Sequence, residues 1–311
     1  MPFFSVVIPV FNREKLIEKT LSSVLDQTFD DFEVIVVDDG STDDTIQVLS
    51  RFSESILSKS MTVLQQKNAG PGAARNAGIE GASGQYVAFL DSDDLWFPWT
   101  LETYKQVIDR THANFISGVA FDFSQPSELE TIEARSLEFE TFKDYLSAHH
   151  RAVWTLPSAT AIQTQALKQS GGFTSRWING EDSDLWLKLG TTQGFATIQL
   201  PYVSAYRRHE VSAIANSEKT IQGSYHLIEQ EKDKQYPGSF RQQRQRRDII
   251  SRHIRPVSIA CLRQKDLQNA WNLYMSTFWW HLRLGRIKYL AAFWIVAFLS
   301  TLRPESSPLS E

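Results

Sequence analysis

The sequence predicts an α/β fold in which a mostly parallel central sheet is flanked by helices and followed by a helical C-terminal appendage. Apolar, β-branched runs of strand length alternate with helical patterns through the N-terminal part of the chain. This alternation stops after residue 215, where charged helical sequence takes over. Hydrophobic residues make up 42% and charged residues 22% of the 311 residues, which is ordinary globular composition. We therefore expect two domains, residues 1–215 and 216–311.

Four apolar runs predict the first four strands. They cover residues 3–11, 32–37, 61–64 and 86–90. A helical pattern follows each of the first three, with Ser41 in position to cap the second helix and Pro71 in position to begin the third. Strands that alternate with helices of this length pair in parallel through right-handed crossovers. Their carboxyl ends should therefore meet at one edge of the sheet.

The later elements are less regular. We predict a helix at 98–110, strands at 115–123, 158–163 and 202–209, a turn at Gly171 and Gly172, and a helix after Asp182. Residues 124–151 have an irregular, polar pattern. Residues 222–255 indicate exposed helices, and residues 289–302 form an uncharged run too short to span a bilayer. Nearby tryptophan and basic residues suit a helix in a membrane interface, but a buried helix or a dimer contact fits equally well.

Acidic residues cluster where the fourth strand ends. Asp91, Asp93 and Asp94 lie within four positions there, and Asp38 and Asp39 end the second strand. Ligands of open α/β sheets bind outside the carboxyl ends of the strands. Crowded carboxylates repel one another unless a cation compensates them, and hard divalent ions bind carboxylate oxygens. A plain turn followed by a helix cap is the alternative for this cluster.

Charge and cysteine usage restrict partners and compartment. The net charge of −4 gives no electrostatic reason to expect nucleic acid. Cys261 is the only cysteine, so neither an intramolecular disulfide nor a cysteine-built zinc site can form. A reducing cytoplasm fits best. The N-terminal run lacks the basic region of a secretory signal, and we interpret it as the first strand.

Taken together, the ordered motifs resemble glycosyltransferase family 2, which has the GT-A nucleotide-diphospho-sugar transferase fold. The motifs are SVVIPVFNRE, VVDDGSTDDT, NAGPGAARNAG, GQYVAFLDSDD and a later GED, and the resemblance covers residues 3–209. It implies an inverting, metal-dependent transferase that moves a sugar from a nucleotide diphosphate, most commonly UDP, to a hydroxyl of a glycan or lipid-linked glycan. It also implies surface polysaccharide biosynthesis at the cytoplasmic side of a membrane, and residues 124–151 would face the acceptor.

The resemblance assigns a role to each matching residue. Asp182 would be the catalytic base that deprotonates the acceptor. Mn²⁺ or Mg²⁺ would be held by Asp93, Asp91 and His209. The nucleotide sugar would be contacted by Pro9, Phe11, Asp38, Asp39, Arg75, Asp91, Ser92 and Glu181. Structural alternatives stay open for several of them: a ligand-free turn at Asp39, a surface arginine at Arg75, a helix cap at Asp182 and a structural histidine at His209.

Some features depart from the family pattern or favour rival functions. No QxxRW motif occurs, which argues against the processive polymer-making branch, and Thr174 and Ser175 stand where many relatives carry an acidic residue. A nucleotidyltransferase would need a Gly-rich basic loop after the first strand, and the chain has Val10 to Arg13 there. A non-catalytic sugar-nucleotide-binding protein is the other alternative. A homo-oligomer is compatible with the sequence.

Overall fold

The computed structural model describes residues 1–55, 61–151, 153, 155–208 and 217–302. His209 lies outside these described residues. The chain divides into two compact units. The first comprises Met1–Trp177 and Glu181–Ala215, and the second comprises Ile178–Gly180 and Asn216–Glu311.

The first unit contains the α/β elements. In chain order they are β1 (Phe4–Val10), α1 (Ile17–Leu25), β2 (Phe32–Asp38), α2 (Thr45–Ser55), β3 (Met61–Gln65), α3 (Pro71–Gly81), β4 (Tyr86–Phe89), β5 (Leu95–Trp96), α4 (Thr100–Thr111), β6 (Phe115–Ser117), β7 (Ala120–Phe123), β8 (Glu138–Phe142), β9 (Thr160–Gln163), α5 (Thr164–Ser170), α6 (Glu181–Lys188), β10 (Phe195–Leu200) and β11 (Ser204–Arg207). The predicted α/β class is confirmed.

Eight strands form the central sheet, in the order β3-β2-β1-β4-β9-β6-β10-β8. The four predicted N-terminal strands pair in parallel, with Val10 opposite Asp38 and Val7 opposite Phe89. β1 is buried along its whole length, as expected of an interior parallel strand covered on both faces. β9 is antiparallel to both β4 and β6. The carboxyl ends of β1, β2 and β4 therefore share one edge of the sheet, as the alternation predicted.

In the first unit, one predicted strand and one predicted helix cap differ from the structure. The single strand expected at 115–123 is two strands, β6 in the central sheet and β7 in a three-stranded sheet ordered β5-β11-β7. The chain leaves the central sheet at Gly118, whose N–H donates to Ala159 O and whose position leaves no room for a Cβ beside Val203. Ser41 does not cap α2, because its Oγ accepts from Asn12 N and the helix begins at Thr45.

In its described residues the second unit contains four α-helices, α7 (Ser217–Lys232), α8 (Gln243–Arg263), α9 (Leu267–Arg283) and α10 (Ile287–Leu302). The expectation that 222–255 is exposed throughout is wrong, because Glu231 and Arg246 are buried and form an ion pair of 2.7 Å. One face of α10 is buried through Tyr289 and Phe293. Its other face exposes Trp294, Ile295, Phe298 and Leu299. Among the described helices, none has the length and apolar character needed to cross a bilayer.

Candidate functional site

A buried arginine on α3 joins three segments that are distant in the sequence. Arg75 Nη2 lies 2.6 Å from Asp91 Oδ1, after β4, and Nη1 lies 2.9 Å from Glu181 Oε1, in the first turn of α6. Its guanidinium also lies 5.3 Å from the centre of the Phe173 ring. Burial lowers the pKa of Arg75, but the charges of Asp91 and Glu181 outweigh that effect and raise it above the ordinary arginine value. The sequence alternative of a surface arginine is therefore wrong.

Asp182 follows Glu181 in the same helical turn. Its Oδ1 accepts a 2.6 Å hydrogen bond from Ser183 N. Burial raises the pKa of Asp182, against the lowering effects of that hydrogen bond and of the Arg75 charge. Burial also raises the pKa of Glu181, partly offset by Arg75. The first turn of a helix favours a charged carboxylate, so desolvation is the stronger influence at Asp182.

The carboxylates after β4 are held individually. Asp91 is paired with Arg75, and Asp93 Oδ2 lies 3.1 Å from Arg13 Nη2, at the end of β1. Ser92 is buried, and its carbonyl accepts from Thr20 Oγ1. Asp94 is also buried, and its carboxylate accepts from Ser158 Oγ at 2.6 Å and from Arg207 N at 3.0 Å. Burial and the neighbouring charges of Asp91 and Asp93 raise the pKa of Asp94 well above its usual range.

The donor chemistry of Asp91 and Asp93 fits a divalent cation. Within the described part of the chain, no group of three or more acidic, histidine or cysteine side chains is arranged to hold a metal ion. Mg²⁺ commonly binds through one or two carboxylates together with substrate phosphates, and two acidic side chains at one strand end supply that minimum. The third predicted ligand, His209, is outside the described residues.

The predicted nucleobase residues lie at the ends of β1 and β2. Asp39 is buried and accepts three hydrogen bonds, from Gln66 Nε2, Ala69 N and Gly70 N, at 2.8–2.9 Å. Asp39 thus holds the loop that leads into α3, the helix of Arg75. Asp38 accepts from Ser41 N, which closes a turn. Pro9 pairs with Val37 inside the sheet, and Phe11 is 40% exposed just beyond it.

Two arginines have contacts at this edge that the sequence did not reveal. Arg13 forms an ion pair with Asp93, and Arg207 donates from Nε to Asp93 O while it lies over the Phe123 ring. The next residue, Arg208, is exposed and pairs with Asp122. The pattern DSDD did single out Asp94, but nothing in the sequence shows that β11 and Ser158 would bury it.

Two surface cavities of about 280 and 320 Å³ are lined by none of the predicted site residues.

Comparison with known sequences identifies a family and several relatives. The model of the family described as "Glycosyl transferase family 2" matches residues 5–167. An uncharacterized glycosyltransferase of Rickettsia bellii is 35% identical over 224 residues, which are 70% of this chain and 31% of the relative. The poly(ribitol-phosphate) beta-N-acetylglucosaminyltransferase TarS of Staphylococcus aureus is 31% identical over 189 residues, 59% of this chain and 31% of TarS. The chain thus spans about a third of the length of these curated relatives.

Solved structures share the fold. Residues 1–349 of TarS in complex with UDP-GlcNAc superpose with a TM-score of 0.58 at 21% identity, covering 91% of this chain and 92% of that one. The mannosyltransferase PcManGT of Pyrobaculum calidifontis, in complex with GDP-Man and Mn²⁺, gives a TM-score of 0.58 at 20% identity, covering 98% and 88%. The expected GT-A fold is confirmed. With the family match over more than half of its length, the chain belongs to glycosyl transferase family 2.

Proposed function

We propose that this chain transfers a sugar from a nucleotide diphosphate, with UDP favoured, to a hydroxyl group of a glycan or lipid-linked glycan. The observation that carries the proposal is the Arg75 bridge between Asp91 and Glu181. It gathers the end of β4, α3 and the start of α6 at one place, next to Asp182, a carboxylate of raised pKa. Shifted carboxylates with a defined charge partner are typical of catalytic sites.

Asp182 would act as the general base. In its ionised form it would take the proton of the acceptor hydroxyl, whose oxygen then bonds to the anomeric carbon of the sugar. The bond between that carbon and the diphosphate oxygen breaks, and the nucleoside diphosphate leaves with the bonding electrons. A single displacement of this kind inverts the configuration at the anomeric carbon. The raised pKa of Asp182 makes it a stronger base than an ordinary aspartate.

Asp39 would recognise the nucleobase. A carboxylate offers about four lone-pair positions, and Asp39 uses three of them for Gln66, Ala69 and Gly70. One position is left for a donor group of the base, and Asp38, Pro9 and Phe11 would shape the surrounding surface. TarS with UDP-GlcNAc and PcManGT with GDP-Man support a nucleotide sugar as the donor class.

Asp91 and Asp93 would hold Mn²⁺ or Mg²⁺ together with the diphosphate, and His209 is the proposed third ligand. A bound cation would offset the charge that develops on the leaving diphosphate. The structure of PcManGT with Mn²⁺ supports this choice of ion. Ser92 and Glu181 would contact the donor, Ser92 next to the cation ligands and Glu181 through its position beside Arg75.

Release of nucleoside diphosphate from a panel of UDP-, GDP- and dTDP-sugars tests the proposal. We expect release with one donor class when Mn²⁺ or Mg²⁺ is present, and its loss in the Asp93→Ala and Asp182→Ala variants. Asp109→Ala is the matched control, because Asp109 is an exposed helical carboxylate paired only with Lys105 among the contacts described. Wild-type turnover by both site variants would exclude the proposed roles.

We further propose that the chain works in the cytoplasm and that the exposed face of α10 rests on an anionic membrane surface. The exposed side chains of Trp279 and Arg283 on α9, and of Lys288 and Trp294 on α10, support this, since tryptophan and basic residues favour membrane interfaces. Sedimentation with vesicles of phosphatidylglycerol should pull down the wild type but not the Phe298→Glu variant. Equal sedimentation of both, or a concentration-dependent dimer broken by Phe298→Glu, would contradict membrane docking.

A further inference from the structure

Arg13 and Asp93 meet across two neighbouring strands. Arg13 follows β1 and Asp93 follows β4, and these strands are paired in parallel, so both residues lie at the same edge of the sheet. Arg13 Nη2 lies 3.1 Å from Asp93 Oδ2. The guanidinium therefore occupies an oxygen of the carboxylate that we propose as a cation ligand.

The backbone of Arg13 is fixed, whereas its side chain is partly free. Asn12 adopts a left-handed φ of 51° and donates from N to Ser41 Oγ, and Arg13 N donates to Thr45 Oγ1. The Arg13 side chain is 39% exposed, and within the described part of the chain Nη1 makes one long bond, of 3.3 Å to Asn12 O. Its Nε is buried and has no hydrogen-bond partner among the described residues. The guanidinium thus has donors to offer to another acceptor.

The positive charge of Arg13 opposes a second cation at Asp93. Arginine side chains stay charged in proteins, so a cation at that Asp93 oxygen is repelled by the guanidinium until Arg13 moves to another anion. Phosphate oxygens are well suited to receive it, because arginine binds them with paired, charge-assisted hydrogen bonds. The diphosphate of a donor would supply such oxygens at this edge of the sheet.

We infer that Arg13 is a diphosphate-binding residue that occupies Asp93 in the donor-free protein and transfers to the diphosphate when the donor and the cation bind. This inference rests on the proposed function. It makes the binding of nucleotide and cation mutually dependent, because each favours the arrangement in which Arg13 has left Asp93. Such coupling is reciprocal and typically amounts to about 5–150-fold in affinity.

Titration of Mn²⁺, followed by the electron paramagnetic resonance signal of the free ion, tests the inference without a turnover assay. Each protein is titrated alone and with saturating UDP, GDP or dTDP. In the wild type we expect weak Mn²⁺ binding that the preferred nucleotide strengthens. Without nucleotide, Arg13→Gln should bind Mn²⁺ more tightly than the wild type, by about 5-fold or more. The factor by which the nucleotide increases Mn²⁺ affinity should be smaller in Arg13→Gln than in the wild type, also by about 5-fold or more. Arg13→Lys, which keeps the charge, should stay close to the wild type.

Arg110→Gln is the matched control, because Arg110 is an exposed arginine in the last turn of α4 and belongs to none of the proposed binding residues. It should leave both Mn²⁺ affinities unchanged. Arg13→Gln with wild-type Mn²⁺ affinity and wild-type strengthening would overturn the inference and leave the proposed function standing. If the wild type binds no Mn²⁺ in any of these conditions, both the inference and the proposed use of a divalent cation are wrong.

Discussion

Asp182 is subject to two opposing influences on its charge. Its place in the first turn of α6 favours the ionised form, whereas burial raises its pKa above the ordinary aspartate value. A general base works only when ionised. Activity should therefore fall as the pH falls through the raised pKa of Asp182, at a higher pH than an unperturbed aspartate would give.

We expect the Asp182→Asn variant to lose about 10²–10⁴-fold in kcat, the usual contribution of a positioned acid–base group. Nucleotide affinity should change little, because the proposed role of Asp182 is to deprotonate the acceptor and not to bind the nucleotide. Measurement of kcat/KM against pH checks the position of the acid limb in the wild type. Asp109→Asn, which removes an exposed carboxylate of α4, should reproduce the wild-type profile. An acid limb at the ordinary aspartate pKa would contradict the effect of burial on Asp182.

Asp94 links the end of β4 to Ser158 and to Arg207 of β11 through its buried carboxylate. Replacement by alanine leaves Ser158 Oγ without its acceptor and buries Arg207 N without a partner. An unsatisfied buried donor costs about 1–3 kcal/mol, and Asp94→Ala should lower the free energy of unfolding by about that amount in urea titrations. Asp94→Asn keeps an acceptor oxygen and a similar volume and should recover most of the loss. Equal stability of Asp94→Ala and the wild type would show that these bonds contribute nothing.

At the scale of elements, the prediction from sequence was reliable where hydrophobic runs and turn residues agreed. The four N-terminal strands and the start of α3 at Pro71 were predicted, because buried parallel strands carry continuous apolar runs and proline suits the first helical turn. β8, β10 and α5 were not predicted, and the expected strand at 115–123 is divided between two sheets. Sheet membership there depends on Gly118 and its contact with Ala159, which no local pattern reveals.

The site was predictable only in part, because local sequence does not show tertiary contacts. The alternation of strands and helices predicted that Asp39 and Asp91 lie at one edge of the sheet. The ion pairs of Arg75 with Glu181 and of Arg13 with Asp93, however, join residues 106 and 80 positions apart. Such pairings follow from tertiary packing. The roles of these residues in donor binding and catalysis stay predictions.

The packing of α3 against β1 depends on a helical glycine. A Cβ on Gly78 would lie 2.3 Å from Val7 Cγ1, which is too close for any real contact. Gly78→Ala should therefore destabilise the protein by about 1–3 kcal/mol through overpacking, despite the better helix propensity of alanine. Because α3 carries Arg75, nucleotide affinity should weaken as well.

Gly81, at the end of the same helix, provides the control. A Cβ there would lie 3.6 Å from Leu64 Cδ1, an ordinary contact distance. Gly81→Ala should be neutral or stabilising, by up to about 1 kcal/mol. Chemical unfolding of both variants measures the difference. If Gly78→Ala is as stable as Gly81→Ala, the close approach of α3 and β1 does not limit the packing.

At the scale of the whole molecule, the chain consists of two units, each with its own buried apolar residues. The first is built around apolar strands, and the family model lies entirely within it. In the second, Glu231 is fully buried and accepts from Arg246 Nε at 2.7 Å and from Arg247 Nε at 3.2 Å. The charged residues of the segment 222–255 predict exposure, and the buried charge cluster of Glu231, Arg246 and Arg247 is the part of the second unit that differs from this prediction. That the first unit is catalytic stays a prediction.

The buried charge cluster should control the stability of the second unit. Glu231→Gln removes the negative charge and leaves the Arg246 guanidinium buried without a counter-charge, and breaking such a pair costs about 3–5 kcal/mol. Glu218→Gln, an exposed change on the same helix, should stay within about 0.5 kcal/mol of the wild type. Hydrogen exchange followed by mass spectrometry locates the effect: in Glu231→Gln, protection should fall in peptides from 217–302 and persist in those from β1, β2 and β4. Equal protection in the two variants would mean that the cluster is not needed to hold α7 against α8, whereas a loss limited to 217–302 would show that the second unit depends on this one carboxylate.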